Sequence, residues 1–402
     1  MSSPPPSCGK EPPTIDLANT PEADIVEQIS KACSEFGFFQ IVNHSVPTSL
    51  IDEYLEQCKL YFSLPLNVKR QWKRHAENSR GWFNDELTKQ RLDWKEALDM
   101  GVPGTRDWSI DDSDPSNRCL DGWNQLPSSD VLPDFRPIIT RYFDECAKLA
   151  DQIAIFMAKG LGQSEDCRMI QELRDHHSSY LRSNYYPVCD VEQENEDPSG
   201  KPLGISPHRD AGFLTVLLQD ADCHSLQVLL DHEGDSNSNG NTSLHDNWIS
   251  IRPADKYAFT INTGDMAEVW SNGRYKAPLH RVLSNETKER YSTPFFYNPS
   301  YASMVEPLTI SSENQNESGP NTEAEPQYSG VLWGYFRAVR FAGDLTDLGV
   351  EIQVADFLLH DHQKSQSDHV GRQEVFAKQV DFSKPFSVEK FRPLLQESSC
   401  QN

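Results

Sequence analysis

Two periodicities divide the chain. Between Pro21 and Phe36 the apolar residues Ile25, Ile29, Ala32, Cys33 and Phe36 recur at helical spacing, and the run FGFFQIVNH that ends at His44 is rich in strand formers. A helix feeding a strand is the simplest reading. Ser49 reads as the N-cap of a second helix with Leu50, Ile51, Tyr54, Leu55, Cys58 and Phe62 on one face, and a long helix is predicted from Leu132 to Leu161 on the stripe Ile138, Tyr142, Cys146, Leu149, Ile153 and Met157. After Tyr180 the pattern changes to short strands: Gly212 to Gln219, Ser225 to Leu230, Trp248 to Pro253, Tyr257 to Asn262, Met266 to Ser271 and Arg290 to Tyr297. Ser271-Asn272-Gly273-Arg274 reads as a hairpin with Asn-Gly in a two-residue turn. VLWGYFRAVRF, past Gly330, looks helical.

This pattern predicts a mainly β protein with flanking helices (α+β), its core a double-sheet jelly roll. The expected divisions are a mobile Pro- and Ser-rich N-terminus over 1–13, a largely helical region over 14–176, the β core over 177–300, and a polar insertion with a C-terminal helical segment over 301–402. Asp190 to Lys201, Asp231 to Asn247 and Ser311 to Ser329 hold few apolar residues and are expected to be solvated loops decorating the barrel.

Composition narrows the function. The 402 residues carry 37 Lys plus Arg against 61 Asp plus Glu, a net charge of −24, which argues against a nucleic-acid or anionic-membrane partner. An anionic small molecule would need its own local cation. Nine Cys, an odd number without a C-x-x-C, indicate reduced thiols and a cytoplasmic or nuclear setting. No secretory h-region or stretch of about 18 apolar residues is visible.

Phosphate-loop, dinucleotide, zincin and nucleophile-elbow motifs are absent. What remains is His208-Arg209-Asp210. An H-x-D triplet is weak alone, and His75-Ala76-Glu77, in a charged segment, reads as a surface feature. His208 and Asp210 precede an apolar strand, where residues i and i+2 share a face. His280, at the head of HRVL, is the best third ligand. Two His and a carboxylate on one side of a metal leave the other side open, the facial triad of non-haem Fe(II) oxygenases. Further on, Arg290 and Ser292 form another i, i+2 pair facing the barrel interior. The partner of Arg290 is either a ligand carboxylate or, if the segment is an edge strand, water. His360 and His362, in a polar stretch, read as a solvated loop, and His44 as a hydrogen-bonded core residue.

Asn184-Tyr185-Tyr186-Pro187, HRDAGFLTVLLQD, LQVLL, INTGDMAEVWSNGRYKAPLHRV and RYSTPFFYNP together resemble the 2-oxoglutarate/Fe(II)-dependent dioxygenase superfamily, in its isopenicillin N synthase-like branch of plant and fungal enzymes. GFFQIVNHSVP through DWKEALDMG resembles that branch's N-terminal domain. The resemblance implies a double-stranded β-helix holding Fe(II) through His208, Asp210 and His280. It implies 2-oxoglutarate on the metal, its far carboxylate on Arg290 and Ser292, with Tyr186 and Asn184 completing the pocket and ascorbate as reductant. Oxidative decarboxylation to succinate would drive hydroxylation, desaturation or ring closure of a small molecule in specialised metabolism. The implied partners are that small molecule and dioxygen, with no nucleic acid, no membrane and a monomeric chain. Two alternatives stay open: an Fe(II) oxidase of the same fold that uses Arg-x-Ser on its substrate's own carboxylate, and a non-catalytic ligand-binding relative.

Overall fold

The computed structural model describes residues 11–75, 78–88, 91–103, 122–189, 203–222, 224–229, 248–309, 325–345, 352–359 and 363–380. The α-helices are α1 (Glu22–Glu35), α2 (Thr48–Phe62), α3 (Leu66–Lys69), α4 (Phe135–Gly160), α5 (Arg168–Arg174), α6 (Asp265–Trp270), α7 (Trp333–Leu345) and α8 (Gln363–Gln379). The strands are β1 (Thr14–Asp16), β2 (Phe38–Val42), β3 (Gly81–Phe83), β4 (Leu87–Thr88), β5 (Arg91–Leu92), β6 (Glu96–Gly101), β7 (Tyr180–Tyr186), β8 (Leu203–His208), β9 (Leu214–Gln219), β10 (Leu226–Leu229), β11 (Trp248–Ser250), β12 (Phe259–Thr263), β13 (His280–Leu283) and β14 (Arg290–Tyr297). An eight-stranded sheet runs β1-β2-β12-β9-β14-β7-β6-β3, and a four-stranded sheet β11-β10-β13-β8 faces it. This is the expected jelly roll. The large sheet is continuous across the helical region and the β core, because β1, β2, β3 and β6 extend it on both sides.

Strand alternation decides what each face does. On β9, Leu214, Val216 and Leu218 join the large apolar cluster that also contains Tyr142, Cys146, Ile153 and Met157 of α4. Thr215 and Leu217 line the cavity between the sheets, and Gln219, on the same face, reaches Arg290. On β14, Tyr291, Phe295 and Tyr297 face the helices, while Arg290, Ser292, Pro294 and Phe296 face the cavity. On β7, Leu181 and Tyr185 turn outward, and Tyr180, Arg182, Asn184 and Tyr186 turn inward. A smaller apolar cluster of Phe38, Tyr186, Leu217, Leu226, Val228, Ile251 and Val282 fills the barrel between the sheets. The helix layer thus keeps water off one face, and the barrel interior is left for polar groups with a purpose.

Three expectations need correction. Met266 to Ser271 is not a strand but lies in and just past α6, a short run whose apolar residues fit either period. Asn272 and Gly273, with φ of 54° and 80°, end that helix instead of turning a hairpin. The Gly273 N–H reaches the Glu268 carbonyl at 2.8 Å, the closure of a helix C-terminus in left-handed backbone. The second helix starts at Thr48 and not after a Ser49 cap, because the Pro47 carbonyl already accepts the Leu50 and Ile51 N–H groups at 3.0 and 3.2 Å.

Residues 1–10, the loops over 190–201 and 231–247, most of the 311–329 insertion, Glu77, His360 and His362 lie outside the described residues. Among the described residues no helix is long and apolar enough to cross a membrane.

Candidate active site

β8 and β13 pair antiparallel with His208 opposite His280, and the register shifts immediately after His280. Such an irregularity re-aims side chains next to a site. The two imidazole rings lie 4.3 Å apart, centroid to centroid. His208 ends its strand, so Asp210 is not on one strand with it; the chain turns first and brings the carboxylate in from the loop. Asp210 Oδ1 stands 3.7 Å from His208 Nε2 and 3.5 Å from His280 Nε2. Donor atoms of the three residues lie within 4.8 Å of one another, the separation at which one ion can touch all three.

Each donor is aimed by a neighbour. His208 Nδ1 donates to the Ser206 carbonyl at 2.8 Å and His280 Nδ1 to the Pro278 carbonyl at 3.1 Å, which turns both Nε2 atoms toward Asp210. Asp210 Oδ2 accepts from Thr215 Oγ1 at 2.5 Å and from Asn262 Nδ2 at 2.7 Å, so Oδ1 is the oxygen left over. The loop backbone is fixed as well. The Asp265 N–H donates to the Asp210 carbonyl at 2.8 Å, the Met266 N–H to the Gly212 carbonyl at 3.0 Å, and Arg340 of α7 to the Arg209 carbonyl at 3.0 Å.

The protonation states suit metal ligation. Burial, then the proximity of His280, pushes the His208 imidazole down to about 3, so it is neutral. Burial opposes ionisation of Asp210, but the charge and hydrogen bond of His280 and the proximity of His208 outweigh it and hold the carboxyl well below the ordinary range. For His280, burial lowers and Asp210 raises, and Asp210 prevails. A carboxylate that draws a proton onto its neighbour is one that a divalent cation would satisfy in the proton's place.

The other end of the site is built by the β7–β14 pairing, in which Arg290 faces Tyr186 and Ser292 faces Asn184. Arg290 is only 1% exposed. Its Nη2 reaches Gln219 Oε1 at 3.3 Å and its guanidinium lies 4.9 Å from the Tyr186 ring centre, while Nε and Nη1 have no hydrogen-bond partner. Asn184 donates to Ser292 Oγ at 3.4 Å and its Oδ1 is also unpartnered. Two buried guanidinium donors without acceptors are costly in isolation and suit a carboxylate.

All seven residues singled out from the sequence line one cavity of about 190 Å³. His44 is hydrogen-bonded as expected, its Nε2 2.7 Å from the Tyr257 carbonyl, but it is half-buried and not a core residue. Sequence reading missed Thr215, Asn262 and Gln219. The available signal was alternation: they are polar residues in otherwise apolar strands, on the inward face.

The family model of the 2OG-Fe(II) oxygenase superfamily matches residues 177–299, and that of the non-haem dioxygenase in morphine synthesis N-terminal region matches residues 12–129. Jasmonate-induced oxygenase 3 of Arabidopsis thaliana is 33% identical over 308 residues, 74% of either chain. Codeine O-demethylase of Papaver somniferum is 30% identical over 306 residues, again 74% of either chain. A solved structure of JOX2 in complex with 2OG, Fe and JA superposes with a TM-score of 0.62 at 30% identity, covering 81% of this chain and 83% of that one. Two histidines, an aspartate and an unpaired arginine in one β-barrel cavity, with matches that cover both the N-terminal region and the barrel, lead to one assignment: the chain belongs to the 2OG-Fe(II) oxygenase superfamily.

Proposed function

We propose that His208 Nε2, Asp210 Oδ1 and His280 Nε2 hold the ferrous ion of this enzyme, and that Arg290 and Ser292, with Tyr186 and Asn184 beside them, hold the far carboxylate of 2-oxoglutarate. The enzyme couples oxidative decarboxylation of 2-oxoglutarate to oxidation of a small organic molecule. Iron with 2-oxoglutarate, when bound, supplies the activation of dioxygen. The protein's own groups do the rest. Thr215 and Asn262 occupy one oxygen of Asp210 and thereby present the other; the Ser206 and Pro278 carbonyls fix the imidazole tautomers. Arg290 fixes the reach of the co-substrate from a barrel end sealed by Leu217 and Val282, so that carboxylate pairing occurs away from bulk water.

The observation that carries this reading is the buried Arg290 guanidinium with two unpartnered donors, in the same cavity as the three ligand atoms. The same donors would serve a substrate's own carboxylate in the co-substrate-independent oxidase, and it is the similarity to oxygenases that use 2-oxoglutarate that favours the dependent reaction. The test is substrate-stimulated succinate release. Turnover should cease without 2-oxoglutarate, and Asp210→Ala should lose iron binding while keeping the fold. Full turnover by Asp210→Ala would refute the metal assignment.

The division into a largely helical region over 14–176, a catalytic barrel over 177–300 and a C-terminal segment over 301–402 remains our proposal. So do a cytoplasmic or nuclear location, a monomeric state, no nucleic-acid partner and a role in specialised metabolism. Support for the location comes from Cys33, Cys58, Cys146 and Cys167, all free thiols.

A further inference from the structure

The cavity continues to a charged wall that includes Glu86, Lys95, Arg182, Arg337 and Asp344. Most of these charges are used up. Arg182 takes both oxygens of Asp99 at 2.7 and 2.8 Å and donates to Glu86 at 2.9 Å. Lys95 Nζ lies 2.7 Å from Glu86 and 2.9 Å from Asp93, and Arg74 adds a contact to Glu86 at 3.3 Å.

Arg337 and Asp344 differ. They stand two turns apart on α7, 3.8 Å from each other, which is beyond hydrogen-bond length, and among the described residues neither has a hydrogen-bond partner. The Tyr180 and Phe341 rings flank the Arg337 guanidinium at 5.6 and 5.4 Å, positioning the charge without consuming its N–H donors. Burial, and then the nearby charge of Glu86, raises the Asp344 carboxyl to about 6 against the pull of Arg337, the mark of an under-compensated acid.

The side-by-side pair narrows what would fit. Arg337 offers N–H donors and Asp344 an acceptor, 3.8 Å apart, beside a wall whose Glu86, Lys95 and Arg182 already make their ion pairs. A ligand end bearing one sign would answer one of the two groups and meet like charge on the other, whereas an end bearing both signs answers both. Its two charges must also sit on neighbouring atoms, because the two receptor groups are adjacent.

We propose that Arg337 and Asp344 receive the polar end of the primary substrate and that this end is an α-amino carboxylate, its carboxylate on the Arg337 guanidinium and its ammonium on Asp344. The proposal rests on reading the His208–Asp210–His280 cluster as the iron site, which makes this cavity the place where substrate is oxidised. Aromatic and aliphatic walls at Phe296, Trp333 and Val339 would take the side chain.

The experiment uses the full chain with Fe(II) and 2-oxoglutarate under anaerobic conditions. Binding of a panel of free amino acids is measured by calorimetry, each beside its deaminated carboxylic acid and its decarboxylated amine. Succinate release in air is measured in parallel. At least one amino acid should bind tenfold or more tighter than both of its truncated analogues and stimulate succinate release. Arg337→Gln should weaken that amino acid and its deaminated acid by tenfold or more, and Asp344→Asn should bring the two within about twofold of each other, with iron stoichiometry retained in both variants. Equal or tighter binding of the deaminated acids would overturn the zwitterion in favour of a simple anion subsite. Absence of binding across the panel, while wild-type protein still releases succinate slowly without substrate, would overturn the substrate class alone. A wild-type protein that neither binds iron nor releases succinate would overturn the iron assignment beneath it.

Discussion

Asn262 Nδ2 donates to Asp210 Oδ2 at 2.7 Å, across 52 positions of sequence, and so fixes which carboxylate oxygen faces the two imidazoles. Thr215 shares the task from the neighbouring strand β9, whose pairing with β12 places Thr215 opposite Asn262. Removing such an orienting group typically costs 10–100-fold in metal affinity or activity. Asn262→Ala should therefore weaken Fe(II) binding by about that factor while the circular dichroism spectrum stays unchanged. Titration with Fe(II), or with Co(II) as a spectroscopic probe, checks it, and affinity within about twofold of wild type would mean that Thr215 suffices.

Arg290→Ala leaves a co-substrate carboxylate buried without its cation. The expected loss is about 3 kcal/mol or more, a hundredfold or greater rise in the 2-oxoglutarate dissociation constant. Arg290→Lys should recover only part of it, because an ammonium offers a point charge where the guanidinium offers a fork. Calorimetry with 2-oxoglutarate on the metal-loaded protein reads both variants. An unchanged constant in Arg290→Ala would assign the co-substrate to another cation.

Gly264 sits where α6 meets the Asp210 loop. A methyl group there would fall inside contact distance of the Gly212 carbonyl oxygen and 2.8 Å from the Asp210 carbonyl oxygen, both backbone atoms that cannot swing away. Gly264→Ala should displace the loop and lower iron affinity by at least tenfold, with a smaller effect on 2-oxoglutarate binding at Arg290. A crystal structure or a metal titration of the variant decides it; wild-type iron affinity would show that the loop yields without cost.

Arg182 is held by Asp99 and Glu86, all three side chains nearly buried. Arg182→Ala strands the Asp99 carboxylate, and breaking a buried pair from one side costs roughly 3–5 kcal/mol. The variant should unfold at markedly lower urea concentration than wild type. Arg182→Ala with Asp99→Ala should recover a measurable part of the loss, since the orphaned charge goes too. A double variant no better than the single one would mean that packing, and not charge, sets the cost.

Much of this protein was legible in one dimension. Period-2 alternation in RYSTPFFY put Arg290 and Ser292 on one face, and the strand came out with the bounds read from sequence. The apolar stripe of α4 is the one that covers the outer face of the large sheet. His208, Asp210 and His280 stood out because their chemistry is specific, although spacing alone could not show that His208 and His280 face each other across a strand pair.

What the sequence determined was the local alternation and the kinds of donor available, both of which depend on neighbours along the chain. Only the tertiary structure decided the support. The segment 266–271 reads equally well as strand or helix because six residues are too few to separate the two periods, and it becomes α6 where its first N–H groups can meet the Asp210 and Gly212 carbonyls. Thr215, Asn262 and Gln219 acquired their roles in the same way: a polar residue in an apolar strand gains meaning from the partner across the sheet, and pairing between distant strands is a long-range choice that no local pattern encodes.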